Sequence, residues 1–147
     1  MNESAGTKEK ILDAAEKLFA ENGYAGTSLR MITAAAGVNL AAVNYHFQSK
    51  EALIRAVYAR RIGPVNEKRL SMLVKAEAAA AGPLSLEEIL RAFAKPMLEL
   101  PSDGAAGVDF RRLMGRMYVE PGEKVQEFLR ELMQEVGQRF IAAFHRA

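Results

Sequence analysis

Cysteine is absent from the chain, which excludes a disulfide framework, a thiolate metal site and a thiol nucleophile. Histidine is nearly absent: only His46 and His145 occur, so imidazole cannot supply a metal-spaced ligand set, and no metal or cofactor is expected. Long apolar runs are missing too, and nothing approaches the uninterrupted length that a membrane span requires. The start, Met1 to Gly6, has no apolar run behind a basic stretch and is not read as a secretory signal. These absences together predict a soluble cytoplasmic protein. Charge of one sign does not dominate either, the formal net charge being +2. In residues 1–50, Lys8, Lys10, Lys17, Arg30 and Lys50 are matched by Glu3, Glu9, Asp13, Glu16 and Glu21. Charge alone therefore does not announce a nucleic-acid surface in this segment.

What is present favours helices. Half of the residues are apolar, alanine is abundant, and Val, Ile and Thr rarely run together, which disfavours strands. The fold class expected is all-α, with about seven helices. A length of 147 residues suits one domain, or a small head on a larger helical body.

Ile11, Leu12, Ala15, Leu18 and Phe19 recur at helical spacing, predicting a first helix from about Thr7 to Asn22. Gly23 stops it, and Tyr24 can fold back on its end. Thr27 or Ser28 caps a short helix carrying Leu29, Ile32 and Ala36 and ending at Gly37. Asn39 caps a third, Leu40 to about His46, with Val43 and Phe47 inward. Ser49 caps a fourth, opened by Lys50 and burying Leu53, Ala56 and Val57, which meets a break or kink at Gly63-Pro64. The head is accordingly placed at residues 5–65 and the body at 66–147. In the body, Leu70, Leu73 and Val74 continue a helix to Gly82-Pro83. Ser85 to Glu88 forms a capping box ahead of Ile89, Leu90, Phe93 and Met97, with a kink expected at Pro96 and a stop at Pro101. Residues 102–107 are expected to be loop. Phe110, Leu113, Met114, Met117 and Tyr118 form a stripe closed by Pro121-Gly122, and Val125, Phe128, Leu129, Leu132, Met133, Val136, Phe140 and Phe144 form the last. The basic run Arg55, Arg60, Arg61, Lys68 and Arg69 is read as a solvated face.

The informative segment is 27–47. Two short helices, a turn residue that tolerates positive φ at Gly37 and an alanine cluster where they cross are the requirements of a helix-turn-helix. Its second helix must offer short side chains to base edges, as Leu40, Ala41, Ala42 and Asn44 do. Against this stands an enzyme reading, whose best constellation pairs His46 or His145 with carboxylates. No nucleophile elbow, phosphate loop or metal-spaced ligand set accompanies them, and no enzyme is expected. A helical interaction module without DNA binding is the other alternative.

Over about residues 7–60 the chain resembles the TetR family of transcriptional regulators. The likeness lies in Ile11-Leu12-Asp13-Ala14-Ala15 with Leu18-Phe19 and Gly23-Tyr24, in Thr27-Ser28, in Ala36-Gly37-Val38, and in Tyr45-His46-Phe47 followed by Ser49-Lys50-Glu51-Ala52-Leu53. The resemblance implies that Leu40 to His46, capped by Asn39, is the recognition helix of an operator-DNA reader, with Asn39 and Leu40 counted among its DNA-binding residues. It makes Asn44 the base-bonding side chain, lets Ala41 and Ala42 pack on thymine methyls, and assigns Thr27, Ser28, Tyr45, His46 and Lys50 to phosphates. Arg30 also reaches the DNA backbone or else remains solvated. It further implies a homodimer and a body that binds a small-molecule effector, with Phe93, Met97, Phe110, Leu113, Met114, Met117, Phe128 and Met133 as candidate pocket residues. The head is similar to a branch that includes fatty-acid-responsive repressors, so the effector expected is an apolar molecule such as a fatty acid or acyl thioester. Family members usually carry two further long helices beyond the segment matching Arg146, so the body is expected to be incomplete relative to theirs.

Overall fold

A computed structural model describes residues 3–100, 104–119 and 123–147. Among the described residues there are seven α-helices and no strand: α1 (Glu3–Asn22), α2 (Leu29–Ala36), α3 (Leu40–Phe47), α4 (Lys50–Ala79), α5 (Leu86–Leu98), α6 (Gly104–Val119) and α7 (Glu123–Phe144). The expected all-α class is thus the observed one.

Local chemistry sets most of the boundaries. Ser28 caps α2 by accepting a hydrogen bond from the Met31 amide at 3.2 Å, and Asn39 caps α3 by accepting from the Ala42 amide at 2.8 Å. Each satisfies an amide that the first turn leaves without an intrahelical partner. Gly37 ends α2 in the left-handed region with φ 66°, and Gly23 follows α1 with φ 74°. The box at α5 is complete: Ser85 Oγ accepts from the Glu88 amide, and Glu88 accepts from the Ser85 amide.

The helices pack as two compact units, one of residues 1–59 with 102–126 and the other of residues 60–101 with 127–147. In the first, α1 supplies buried Ile11, Leu12, Ala15 and Phe19, α2 supplies Ile32, α3 supplies Val43 and Phe47, and α4 supplies Leu53, Ile54, Val57 and Tyr58. Helix α6 packs against α1 and buries Phe110 and Leu113. In the second unit, Leu73, Leu84, Ile89, Ala92, Val136, Phe140 and Ala143 form the core, with Leu70, Phe93 and Met133 against it.

Several expectations are corrected. No break occurs at Gly63-Pro64: α4 runs through Pro64 without interruption. Proline removes one backbone donor, but Ile62, Val65, Asn66 and Arg69 are all buried around it, and that packing outweighs one lost bond. The expected loop at residues 102–107 is helical from Gly104, while Ser102 and Asp103 lie outside the described residues. The stops at Pro101 and at Pro121-Gly122 also lie outside them. On α4, α5 and α7 the buried face is rotated slightly from the expected stripes: Val74, Leu90 and Phe144 are exposed, whereas Ala92, Pro96 and Ala143 are buried.

Arg69 is not part of a solvated face, being only 5% exposed. Its Nε donates to the Phe93 carbonyl at 2.8 Å and its Nη1 to Asn66 Oδ1 at 3.1 Å, with the guanidinium carbon 4.2 Å from the Phe93 ring centroid. Asn66 in turn donates to the Leu132 carbonyl at 3.0 Å. Burying a guanidinium is tolerable only when its donors are met in this way, and here they tie α4 to α5 and α7.

Candidate nucleic-acid interface

Helix α3 is amphipathic over barely two turns. Val43 and Phe47 are buried, so the residues at the remaining helical angles must point outward. Leu40 is 45% exposed and Tyr45 79% exposed, and Ala41 and Asn44 are exposed beside them. One face therefore presents a carboxamide and short apolar side chains, with few bulky groups to keep its backbone from a groove. Ala42 sits at the flank of this face, half-buried.

The proposed phosphate ligands are placed around the same short helix. Ser28 is exposed as the N-cap of α2, and Arg30, the second residue of that helix, is exposed as well. Tyr45 and His46 close α3, their rings edge to face with centroids 5.0 Å apart, and His46 is half-buried. Asn39 is exposed, though its side-chain oxygen is engaged in capping. Ser49 Oγ accepts from the Ala52 amide at 3.0 Å, and the first residue of the helix it caps is Lys50.

Thr27 does not belong to this surface. It is 1% exposed, and its hydroxyl lies 2.8 Å from the Gly23 carbonyl and 3.0 Å from that of Leu18. Its proton serves the end of α1, so Thr27 is a post inside the head rather than a phosphate ligand. A Thr-Ser pair ahead of a helix shows which residue can cap but not which faces water.

Two features around the site were not legible in advance. The Lys50 ammonium lies 4.2 Å from the centroid of the Tyr24 ring, a cation–π arrangement. Burial lowers the Lys50 pKa, and the adjacent Glu51 carboxylate opposes that shift. The Tyr24 hydroxyl is pushed from 10.0 to about 12, by burial first and then by its hydrogen bond to Glu51 and that carboxylate's charge. The second feature is Gln48, between α3 and α4, which has φ 64° and ψ −37°. The Ser49 amide donates across it to the Phe47 carbonyl at 2.7 Å, closing a γ-turn. No spacing rule pairs Tyr24 with Lys50, and nothing about glutamine announces a positive φ.

The expected effector residues do not fall in one unit. Phe93, Met97, Phe128 and Met133 are in the second unit, and Phe110, Leu113 and Met114 in the first; the side chain of Met117 lies outside the described residues. Phe93 meets Phe140 edge to face at 5.2 Å, and both Phe93 and Met133 pack on the second unit's core. An open groove of about 310 Å³ in that unit is lined by Glu77, Gly82, Pro83, Leu84, Ala143 and Arg146, none of them a predicted pocket residue.

Comparison with known proteins agrees with this architecture. Residues 11–57 match the family model of the bacterial regulatory proteins of the tetR family, and residues 91–147 match that of a tetracyclin repressor-like C-terminal domain. The probable HTH-type transcriptional regulator YttP of Bacillus subtilis is 44% identical over 48 residues, 33% of this chain and 23% of that protein. The biofilm operon icaADBC HTH-type negative transcriptional regulator IcaR of Staphylococcus epidermidis is 42% identical over 48 residues, 33% of this chain and 26% of its own length. Salmonella enterica GusR shares the fold, with a TM-score of 0.60 and 24% identity over 99% of this chain and 69% of its own. The two family models between them match a regulator's N-terminal part and a repressor-like C-terminal part, and the chain belongs to the TetR family. It spans about a quarter of the length of those two curated relatives. Among the described residues no helix is long and apolar enough to cross a membrane.

Proposed function

We propose that the chain is a DNA-binding transcriptional regulator, a repressor that reads operator DNA through α3. The observation that carries this is the outward face of α3, where Asn44, Ala41 and Leu40 stand clear of the core between two capped helix starts. In this reading α3 lies in the major groove. Asn44 bonds an adenine edge, and Ala41 with the flanking Ala42 meets thymine methyls. Ser28, Arg30, Tyr45, His46 and Lys50 hold phosphates and set the register, and Asn39 fixes the first turn of α3 rather than touching a base. Repression follows the negative regulator IcaR among the relatives. Two heads on one operator demand a homodimer, because one half-site binds weakly. The effector in this reading is an apolar molecule such as a fatty acid or acyl thioester, received by the body. It acts only to the extent that it prefers one of two conformational states.

The test is a titration of the chain against operator and random duplexes over a range of salt. Asn44→Ala is expected to lower discrimination between the two by about ten-fold, the scale of one bidentate base contact. Lys50→Ala is expected to weaken both equally and to flatten the log–log salt dependence by about one phosphate contact. The opposite pattern would place the wrong face of α3 toward DNA, and affinity indifferent to salt would remove the DNA reading.

A further inference from the structure

Lys50 has a long flexible stem, and an ammonium on such a stem is a poor phosphate clamp unless something restrains it. Its backbone is fixed by the Ser49 cap at the start of α4. Its ammonium end rests 4.2 Å from the Tyr24 ring centroid. That ring is itself held: the Gly23 amide donates to the Phe19 carbonyl at 3.0 Å, Gly23 turns the chain with φ 74°, and Tyr24 then stacks on the buried Phe19 with centroids 6.0 Å apart and planes at 25°. The platform is thus built from the end of α1. Next to Lys50 in the chain stands Glu51, a carboxylate that competes with phosphate for the same ammonium. The Tyr24 hydroxyl hydrogen-bonds Glu51.

We propose that Tyr24 is a positioning residue for DNA binding, its ring carrying the Lys50 ammonium toward a phosphate while its hydroxyl occupies the competing Glu51 carboxylate. The inference rests on the DNA-binding reading above and adds a residue that touches no nucleic acid. A side chain that merely fills space would affect melting. A positioning side chain affects the salt dependence of binding through Lys50.

The experiment uses the full chain and a random-sequence duplex, with affinity measured against salt and melting recorded for each variant. Tyr24→Leu is expected to weaken binding about two- to five-fold, the range of an exposed cation–π contact, and to reduce the log–log slope by up to about 0.9, one phosphate. In a Lys50→Met background the same substitution is expected to change nothing further, because the two residues act as one unit. Tyr24→Phe keeps the ring but releases Glu51. It is expected to weaken binding less than Tyr24→Leu, and adding Glu51→Gln is expected to restore the affinity. A folded Tyr24→Leu with an unchanged slope, or with an undiminished loss in the Lys50→Met background, overturns the proposal. If Tyr24→Leu does not fold, the Tyr24→Phe and Glu51→Gln pair decides, and failure to restore overturns it. Unresponsive Tyr24 variants of a chain that still binds duplex salt-dependently sink the positioning role alone, whereas a wild-type chain insensitive to salt sinks the DNA reading and this role with it.

Discussion

Gln48 carries the one positive φ on a non-glycine residue among those described. An L side chain in that region costs on the order of 1–3 kcal/mol, and the residue holds it because α3 and α4 are pinned on either side by buried Phe47 and Leu53. Gln48→Gly is expected to stabilise the chain by roughly 0.5–1 kcal/mol, the relief of the Cβ clash less the extra freedom glycine has when unfolded. Thermal unfolding measures it, and an equal gain from Gln48→Ala would mean that the backbone strain is not the cause. At this scale the caps were legible, since Ser28, Asn39, Gly37 and the Ser85–Glu88 pair act on atoms within a few residues of themselves. The burial of Thr27, the pairing of Tyr24 with Lys50 and the positive φ of Gln48 were not. Their roles depend on what the chain brings alongside them.

Among the elements, α6 departs most from expectation. It begins inside a segment expected to be loop, and it packs in the unit that contains α1 to α3. The link is specific: Arg116 Nε donates to the Ala20 carbonyl at 2.8 Å, and its Nη2 donates to the Glu21 carbonyl. These are last-turn carbonyls of α1, which have no intrahelical donor, so a distant arginine serves as the C-cap. Tyr58 adds a weaker bond from its hydroxyl to the Leu113 carbonyl at 3.4 Å. Replacing Arg116 by Met keeps much of the stem and removes the charge-assisted bonds, and is expected to lower stability by about 1–3 kcal/mol. Urea denaturation of the two proteins tests this; coincident transitions would show that water caps α1 equally well. An arginine on an apolar helix carries no mark of the carbonyls it will meet, so periodicity located α6 but not its partner.

For the molecule as a whole, the proposed effector response is the broadest prediction. If the body receives an acyl chain, longer homologues are expected to raise the melting temperature progressively. Affinity should improve by up to about four-fold per added methylene, as apolar transfer allows, until the chain outgrows its site. A flat response across the acyl series would discard the acyl effector while leaving the DNA reading intact. The effector residues expected on α5, α6 and α7 illustrate why this half was harder to read. A stripe of Phe, Met and Leu satisfies a core and a pocket equally, and the packing divides the expected set between two units.

The sequence by itself determined that the chain folds as helices, where α2, α3 and α5 are capped, and that Leu40, Ala41 and Asn44 face outward on α3, because those follow from contacts within a few residues and from a period of 3.6. Tertiary structure decided the rest: that α4 passes through Pro64, that Arg69 is buried on Asn66 and Phe93, that Arg116 caps α1, and that Tyr24 carries Lys50. Each of these pairs a residue with a partner that local pattern cannot name, or sets a local preference against burial that only packing supplies.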